Sequence, residues 1–259
     1  MKRKASFTEY IDMAKYFEAV NPNNESIVID DTFMCLELRG VFPLSDFRRY
    51  PGDTYYDPCY KQKHNLGGSI LWGFGLNGLA GKSFCPEIIM TTLDSVSVYF
   101  RNPNAGDFHK DKILRDDITA SAKLYAFSLD ARSPTEHMTG LEVYNDLGKV
   151  VYSSAYGHLH VLACGCENEV TISHNGSPVV FVLGEDISYD YHVSRKEGIV
   201  GAEYAMYPQI TVGDNSVSIK KITKMIAYAG DINKVKKDPE HEHYRGSGFA
   251  FGWLLGEVI

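Results

Sequence analysis

The sequence predicts an α+β fold in which an antiparallel sheet wraps around a central helix. Three observations support it: an apolar, glycine-rich stretch at 64–80, alternating strand patterns between Leu93 and Leu162, and a motif order that occurs twice. The chain has 259 residues, 44% of them hydrophobic, which is enough to bury a sizeable core. We therefore expect one complete domain and part of a second.

The N-terminal segment from Phe7 to Val20 has the spacing of a short amphipathic helix that covers a sheet. Asn21-Pro22-Asn23 follows and ends the helical pattern, since the residue before a proline disfavours helix. The apolar stripe consists of Tyr10, Ile11, Met13, Ala14, Phe17 and Val20.

The stretch from His64 to Ala80 is apolar on nearly every side and contains several glycines. A helix that is hydrophobic all round is buried, and glycines allow close approach at a cost of about 1 kcal/mol each against alanine. The pattern therefore predicts the central helix.

Four segments after this stretch alternate apolar and polar residues and are separated by turn sequences such as Asn145-Asp146-Leu147-Gly148. This pattern is typical of an antiparallel meander with one buried face. The predicted strands are 93–100, 118–127, 139–144 and 150–162.

One order of motifs occurs twice, about 180 residues apart: a strand, a short helix, a Gly-Asp loop, an Asp-Pro pair and a glycine-containing helix. Asp53 precedes Gly73 by 20 positions, and Asp231 precedes Gly252 by 21. The repeat predicts a first domain at 1–165 that includes the N-terminal helix, a linker at 166–208, and the front portion of a second domain at 209–259.

The second copy carries Val212-Gly213-Asp214, Ala229-Gly230-Asp231-Ile232-Asn233, Asp238-Pro239 and Phe251-Gly252. These motifs resemble the MaoC-like, (R)-specific enoyl-CoA hydratases of the hotdog fold. The resemblance implies a double-hotdog-like repeat whose second copy is incomplete. It also implies an acyl-CoA or acyl-carrier thioester as substrate, with no separate cofactor, and pairing into a homodimer or hetero-oligomer.

The resemblance also assigns roles by position. Asp231 is the base, Asn233 lies beside it, Lys236 stands where the family has its catalytic histidine, and the Gly252 amide polarises the thioester carbonyl. A helix start would favour the negative charge that develops on this oxygen. The residues expected near the substrate are Asp53, His64, Trp72, Gly73 and Phe251.

Several alternatives stay open at this stage. Asp53 also fits a structural Gly-Asp turn, and the sequence around Lys236 also fits a solvated lysine loop. His64 with Gly67-Gly68 resembles the His-Gly-Gly of small acyl-CoA thioesterases, but His64 also fits an exposed loop. Hydratase or dehydratase activity is thus the first expectation, thioester hydrolysis the second, and a non-catalytic subunit completed by a partner chain the third.

Charge and cysteine content limit the remaining classes. The 26 basic and 33 acidic residues give a net charge of −7, which argues against nucleic acid and anionic membranes as partners. No apolar stretch approaches the roughly 20 residues of a membrane span, and five cysteines without a CxxC pair fit reduced thiols in the cytoplasm.

His241 and His243 alternate along the chain as two metal ligands on one side of a strand could. Only Asp238 lies nearby as a further ligand, so we expect no metal site.

Overall fold

The computed structural model describes residues 19–20, 27–29, 36–52, 57–102, 112–131, 133, 140–144, 147–182, 186–194, 198–229, 242–247 and 252–259. These residues are mostly antiparallel strand, and none of them forms a helix of seven or more residues. The short helices are a 3-10 turn at Leu44–Asp46 and α1 at Asp116–Thr119. The predicted α+β hotdog fold with a central helix is therefore wrong.

The described strands, in chain order, are β1 (Ala19–Val20), β2 (Ile27–Ile29), β3 (Glu37–Pro43), β4 (Arg48–Tyr50), β5 (Cys59–Lys63), β6 (Ile70–Gly75), β7 (Ser83–Thr92), β8 (Ser95–Arg101), β9 (Lys112–Ile113), β10 (Lys123–Ser128), β11 (Glu142–Tyr144), β12 (Val150–Ser153), β13 (Leu159–Gly165), β14 (Glu169–Ser173), β15 (Pro178–Val182), β16 (Asp186–Ser194), β17 (Gly198–Val212), β18 (Ser216–Ala229), β19 (Glu242–Ser247) and β20 (Trp253–Val258).

Two sheets contain most of these strands. The six-stranded sheet has the order β13-β20-β15-β6-β10-β3, and the large sheet has the order β14-β18-β17-β7-β8-β5-β4 with β9, β16 and β19 attached. The pairs β1-β2 and β11-β12 form separate two-stranded sheets. Strands β6, β15 and β20, one from each predicted range 1–165, 166–208 and 209–259, lie side by side.

The hydrophobic core lies between the two main sheets. Phe74 on β6 contacts Phe84 and Phe100 of the large sheet, with ring centroids 5.2 and 5.9 Å apart. All three side chains are fully buried, and burial of one such side chain contributes about 1.5–3 kcal/mol. Other core residues are Leu124, Ala126, Val180 and Leu255 from the six-stranded sheet, and Val96, Val98, Ile210, Val217 and Ile219 from the large sheet.

Part of the predicted central helix is strand β6, and the reason is burial on both sides. Trp72 and Phe74 face the core, whereas Gly73 faces Val179 and Phe181 on the other side of the sheet. A strand buried on both faces is continuously apolar, and periodicity alone does not separate it from a buried helix.

The other predicted elements divide between the sheets. The predicted meander is wrong, because β8 belongs to the large sheet, β10 and β13 to the six-stranded sheet, and β11 and β12 to a small one.

The predicted incomplete second hotdog is also wrong. The short helix predicted within the second repeat lies in strand β18, and Gly252 precedes strand β20 and not a helix. Residues 7–18 of the predicted N-terminal helix lie outside the described residues, and its last two residues form β1.

The outward side of the six-stranded sheet, here called the outer face, is also apolar. Phe127, Val179 and Phe181 are fully buried there. Glycines on β6 leave space for large neighbours: the Tyr125 ring lies against Gly75, and a Cβ on Gly73 would stand 2.6 Å from Cε1 of Phe181. The rings therefore occupy the space that side chains on β6 would need.

We expect Gly73→Ala to lower the free energy of unfolding by about 1–3 kcal/mol, because the new methyl group would displace the Phe181 ring. The matched control is Gly67→Ala, where an added Cβ has no neighbour within 4 Å. Both substitutions restrict the unfolded chain alike, so the difference between them isolates the packing effect. Urea unfolding measures it, and equal stability of the two variants would contradict this account of Gly73.

Candidate binding site

The structure brings two of the predicted site residues into contact, His64 and Trp72. Their ring centroids are 5.2 Å apart, and the Trp72 ring also contacts Phe42. His64 is only 8% exposed, and neither of its ring nitrogens has a hydrogen-bond partner. The alternative of an exposed loop residue is therefore wrong, and His64 packs as an aromatic side chain at the end of the core.

The remaining predicted residues do not join this pair. Gly73 faces the opposite side of the six-stranded sheet, and Gly252 lies directly before β20. Without a helix start, the Gly252 amide lacks the dipole expected to activate a thioester carbonyl. The residues Asp53, Asp231, Asn233, Lys236 and Phe251 lie outside the described part of the chain.

A cavity of about 380 Å³ lies beside the loop that follows His64, with Arg39 and Asp130 in its wall. The Ser69 amide donates to Oδ2 of Asp130 at 2.6 Å, and Nη2 of Arg39 donates to the Asp130 carbonyl at 2.6 Å. Nη1 of Arg39 lies 3.1 Å from Oε1 of the buried Glu37. These polar groups bond to one another. We therefore interpret them as a structural contact that joins the loop after His64 to strand β3 and to the end of β10.

A second cavity results from a change of partner along β17. Ile210 and Thr211 pair with Phe84 and Ser83 of β7, whereas residues 198–206 pair with β16 on the same side of the strand. Pro208 stands between these segments, where its missing N–H suits a position that changes partner. We call this divergence of β7 and β16 the fork.

Beyond the fork, β16, β19 and the outer halves of β17 and β18 form a four-stranded antiparallel sheet, here called the arm. Its strand order is β19-β16-β17-β18. The nine paired residues of β16 correspond to a length of about 30 Å. The arm is continuous with the large sheet because β18 pairs with β17 from Val212 to Gly201.

The cavity in the fork has a volume of about 300 Å³, and polar and apolar atoms contribute about equally to its lining. Ile89 is 36% exposed there, whereas Tyr207 is almost fully buried. Its lining residues are Pro86, Glu87, Ile88, Ile89, Val182, Tyr207 and Pro208.

A buried ion pair fixes the one carboxylate in this lining. Nε and Nη2 of Arg101 lie 3.0 and 2.9 Å from Oε2 of Glu87, and the guanidinium lies 5.4 Å from the centre of the Tyr207 ring. Burial, with the neighbouring Cys59 and Glu87, raises the pKa of Tyr99 to about 12. The Arg101 guanidinium fixes the Glu87 carboxylate in the wall of the cavity.

One edge of β7 faces the fork. On its other side β7 pairs with β8 from Cys85 to Thr92, but on the fork side it pairs with β17 only at Ser83 and Phe84. Among the described residues, no strand pairs with residues 88–92 on the fork side. A sheet edge with exposed N–H and C=O groups can accept another strand.

None of the fork residues was predicted from the sequence. The region up to Pro208 was treated as a linker, and Glu87 to Ile89 carried no recognisable motif. One local signal was present: Pro208 interrupts an otherwise strand-like run from Tyr204 to Val212, and proline within such a run indicates an edge or an irregular pairing.

No protein-family model, curated protein or solved structure matches this chain. Among the described residues, no three metal-ligating side chains cluster, and no helix has the length and hydropathy to cross a bilayer. His243 stacks on His192 of the neighbouring strand with centroids 4.2 Å apart, while His241 lies outside the described residues.

We expect Glu87→Ala to lower the free energy of unfolding by about 3–5 kcal/mol, because the buried Arg101 guanidinium would lose the carboxylate that faces it at 2.9 Å. Glu169→Ala is the control: its partner is Lys220, both side chains are more than half exposed, and the loss should stay below about 1 kcal/mol. Chemical denaturation of both variants provides the comparison. Similar losses would show that the fork does not depend on this ion pair.

Proposed function

We propose that the protein is a non-catalytic assembly subunit that binds a further copy of itself by strand addition in the fork. The observation that supports the proposal is the edge of β7 at residues 88–92, which faces the fork cavity and has no described strand beside it. This combination suits an extended segment, because main-chain hydrogen bonds supply affinity and side chains fill the cavity.

The arm supplies a second edge of the same kind. Strand β19 pairs with β16 on one side, and no described strand pairs with its other side. In the proposed assembly the fork is the acceptor edge, and β19, the outermost described strand of the arm, is the donor edge. Two different surfaces on one chain associate head to tail, which extends an assembly instead of closing a symmetric dimer.

This proposal follows the third expectation from the sequence, a subunit without catalysis of its own. Hydratase, dehydratase and thioesterase activities, and binding of an acyl-CoA or acyl-carrier thioester, stay predictions. The described cysteines, Cys59, Cys85, Cys164 and Cys166, are free thiols, and the cytoplasm stays the predicted compartment. The oligomer predicted from hotdog pairing is replaced here by association through the edges of other strands.

The test is Ile89→Lys, which places a charge in the fork cavity beside the acceptor edge. Inward-pointing lysines on edge strands block pairing with another strand. We expect the wild type to form larger species as its concentration rises in sedimentation velocity, and the variant to remain a monomer. Leu93→Lys is the control, because Leu93 is 81% exposed in the turn between β7 and β8, outside the cavity. It should behave like the wild type.

Two outcomes would contradict the proposal. A wild type that is monomeric at every concentration excludes self-assembly, and equal behaviour of the two lysine variants excludes the fork as its site. Incubation with short 2-enoyl-CoAs, following both enoyl absorbance and thiol release, checks the enzymatic expectations. Turnover would show that the chain is a catalyst and would exclude a purely structural role.

A further inference from the structure

Two exposed cysteines, Cys164 and Cys166, lie at the end of strand β13 with one glycine between them. Both are free thiols, and β13 is the outermost described strand of its sheet. The other described cysteines differ from this pair: Cys85 is buried, and burial raises the pKa of the Cys59 thiol. Because accessible thiols react and buried thiols are inert, the pair is the place in the described part of the chain where thiol chemistry is expected.

The two thiols lie on the same side of the chain. A Cβ added to Gly165 would stand 2.9 Å from Cζ2 of the buried Trp253 and would also meet the Glu167 carboxylate, so Gly165 and Glu167 share the core side. Successive side chains of an extended chain point to opposite sides. Cys164 and Cys166 therefore share the other side, with no side chain between them.

The spacing of the pair is close to the upper limit for a disulfide. Two residues along a strand separate their Cα atoms by about 6.6 Å. The Cα atoms of a disulfide are usually about 4.4–6.8 Å apart, so a bond between these cysteines needs the backbone to contract locally and is strained. Gly165 permits this contraction because it has no side chain, and Cys166 follows the last paired residue of the strand. Strained, exposed disulfides are easily reduced, which suits reversible exchange.

We propose that Cys164 and Cys166 form a redox-active dithiol that exchanges with small disulfides such as oxidised glutathione. One cysteine, as its thiolate, attacks a sulfur of the small disulfide, forms a mixed disulfide and releases one glutathione thiolate. The thiolate of the other cysteine then attacks the cysteine sulfur of this mixed disulfide, and the second glutathione leaves. Two cysteine thiols are thereby oxidised to one disulfide. One glutathione disulfide is reduced to two thiols, which take up the two protons that the cysteines lose.

The new bond would form away from the proposed assembly edges. Cys164 pairs with Leu254 and Gly165 with Trp253, so the contraction affects only the last pairs between β13 and β20. Both strands belong to the six-stranded sheet, whereas the fork and the arm belong to the large sheet. The inference therefore does not depend on self-assembly.

An excess of oxidised glutathione, added to the folded full-length chain, tests the exchange. After the remaining thiols are alkylated, trypsin releases residues 150–195 as one peptide in which Cys164 and Cys166 are the only cysteines. We expect the mass of this peptide to fall by two hydrogen atoms, with no glutathione attached. Two attached glutathiones would show that the thiols react independently. That result, a disulfide between two chains, or the absence of any reaction would overturn the inference.

Two variants and one reversal separate the exchange from ordinary thiol oxidation. Cys166→Ser lacks the second thiol, so Cys164 should retain one glutathione as the mixed disulfide. Cys59→Ser is the control and should give the same oxidised peptide as the wild type. Excess reduced glutathione, added to the oxidised wild type, should restore both thiols. A bond that persists under this treatment would be a structural disulfide and would overturn the redox-active role.

Discussion

The structure depends on the burial of β6 on both of its sides. Trp72 and Phe74 fill the space between the two sheets, while Gly73 and Gly75 admit the rings of Phe181 and Tyr125 on the other side. Alternation of large side chains and glycines lets one strand serve two apolar layers without overfilling either. The neighbouring strands β10 and β15 follow the same rule, since each carries buried apolar residues on both faces. A sheet of this kind must be covered twice, once by the large sheet and once on the outer face.

The same constraint explains which parts of the fold could be predicted from the sequence. Strands β8, β11 and β12 each overlap a predicted strand, because apolar and polar residues alternate in these parts of the sequence. Strand β6 has no alternation between apolar and polar residues, because neither face is polar, and was therefore predicted as helix. The Gly-Asp motif at Gly213 was also misleading for a local reason. It forms the tight turn between β17 and β18, where the Gly213 amide donates to the Ser216 carbonyl at 2.8 Å. Val212-Gly213-Asp214 therefore ends one strand and turns into the next, and it does not lead into a second hotdog domain.

The fork could not be predicted because its residues meet only through long-range pairing. Ile89 and Pro208 are separated by more than one hundred positions, and they line one cavity because β17 pairs with β7 for only two residues. Nothing local indicates that β17 then changes partner to β16. The Glu87–Arg101 pair is local to one hairpin, yet its value depends on the burial that Tyr207 provides from a distant strand. Among the predicted site residues that the structure describes, only His64 and Trp72 contact each other, and this contact is core packing.

The change of partner at Pro208 also has a mechanical consequence. Strand β18 follows β17 without interruption from the sandwich into the arm, whereas β7 and β16 each follow only part of it. The β17–β18 hairpin is therefore the main connection through which load on the arm reaches the core, where Ile210, Val217 and Ile219 are fully buried. In the proposed assembly, a contact on the arm would act on the outer end of this hairpin, and a contact in the fork would act near its middle, at Pro208. The core end of the hairpin is anchored by apolar burial, and Tyr207 at the fork packs against the guanidinium of the Arg101–Glu87 pair. The proposed binding edges therefore extend from a part of the large sheet that the core holds in place, which would keep them positioned for strand addition.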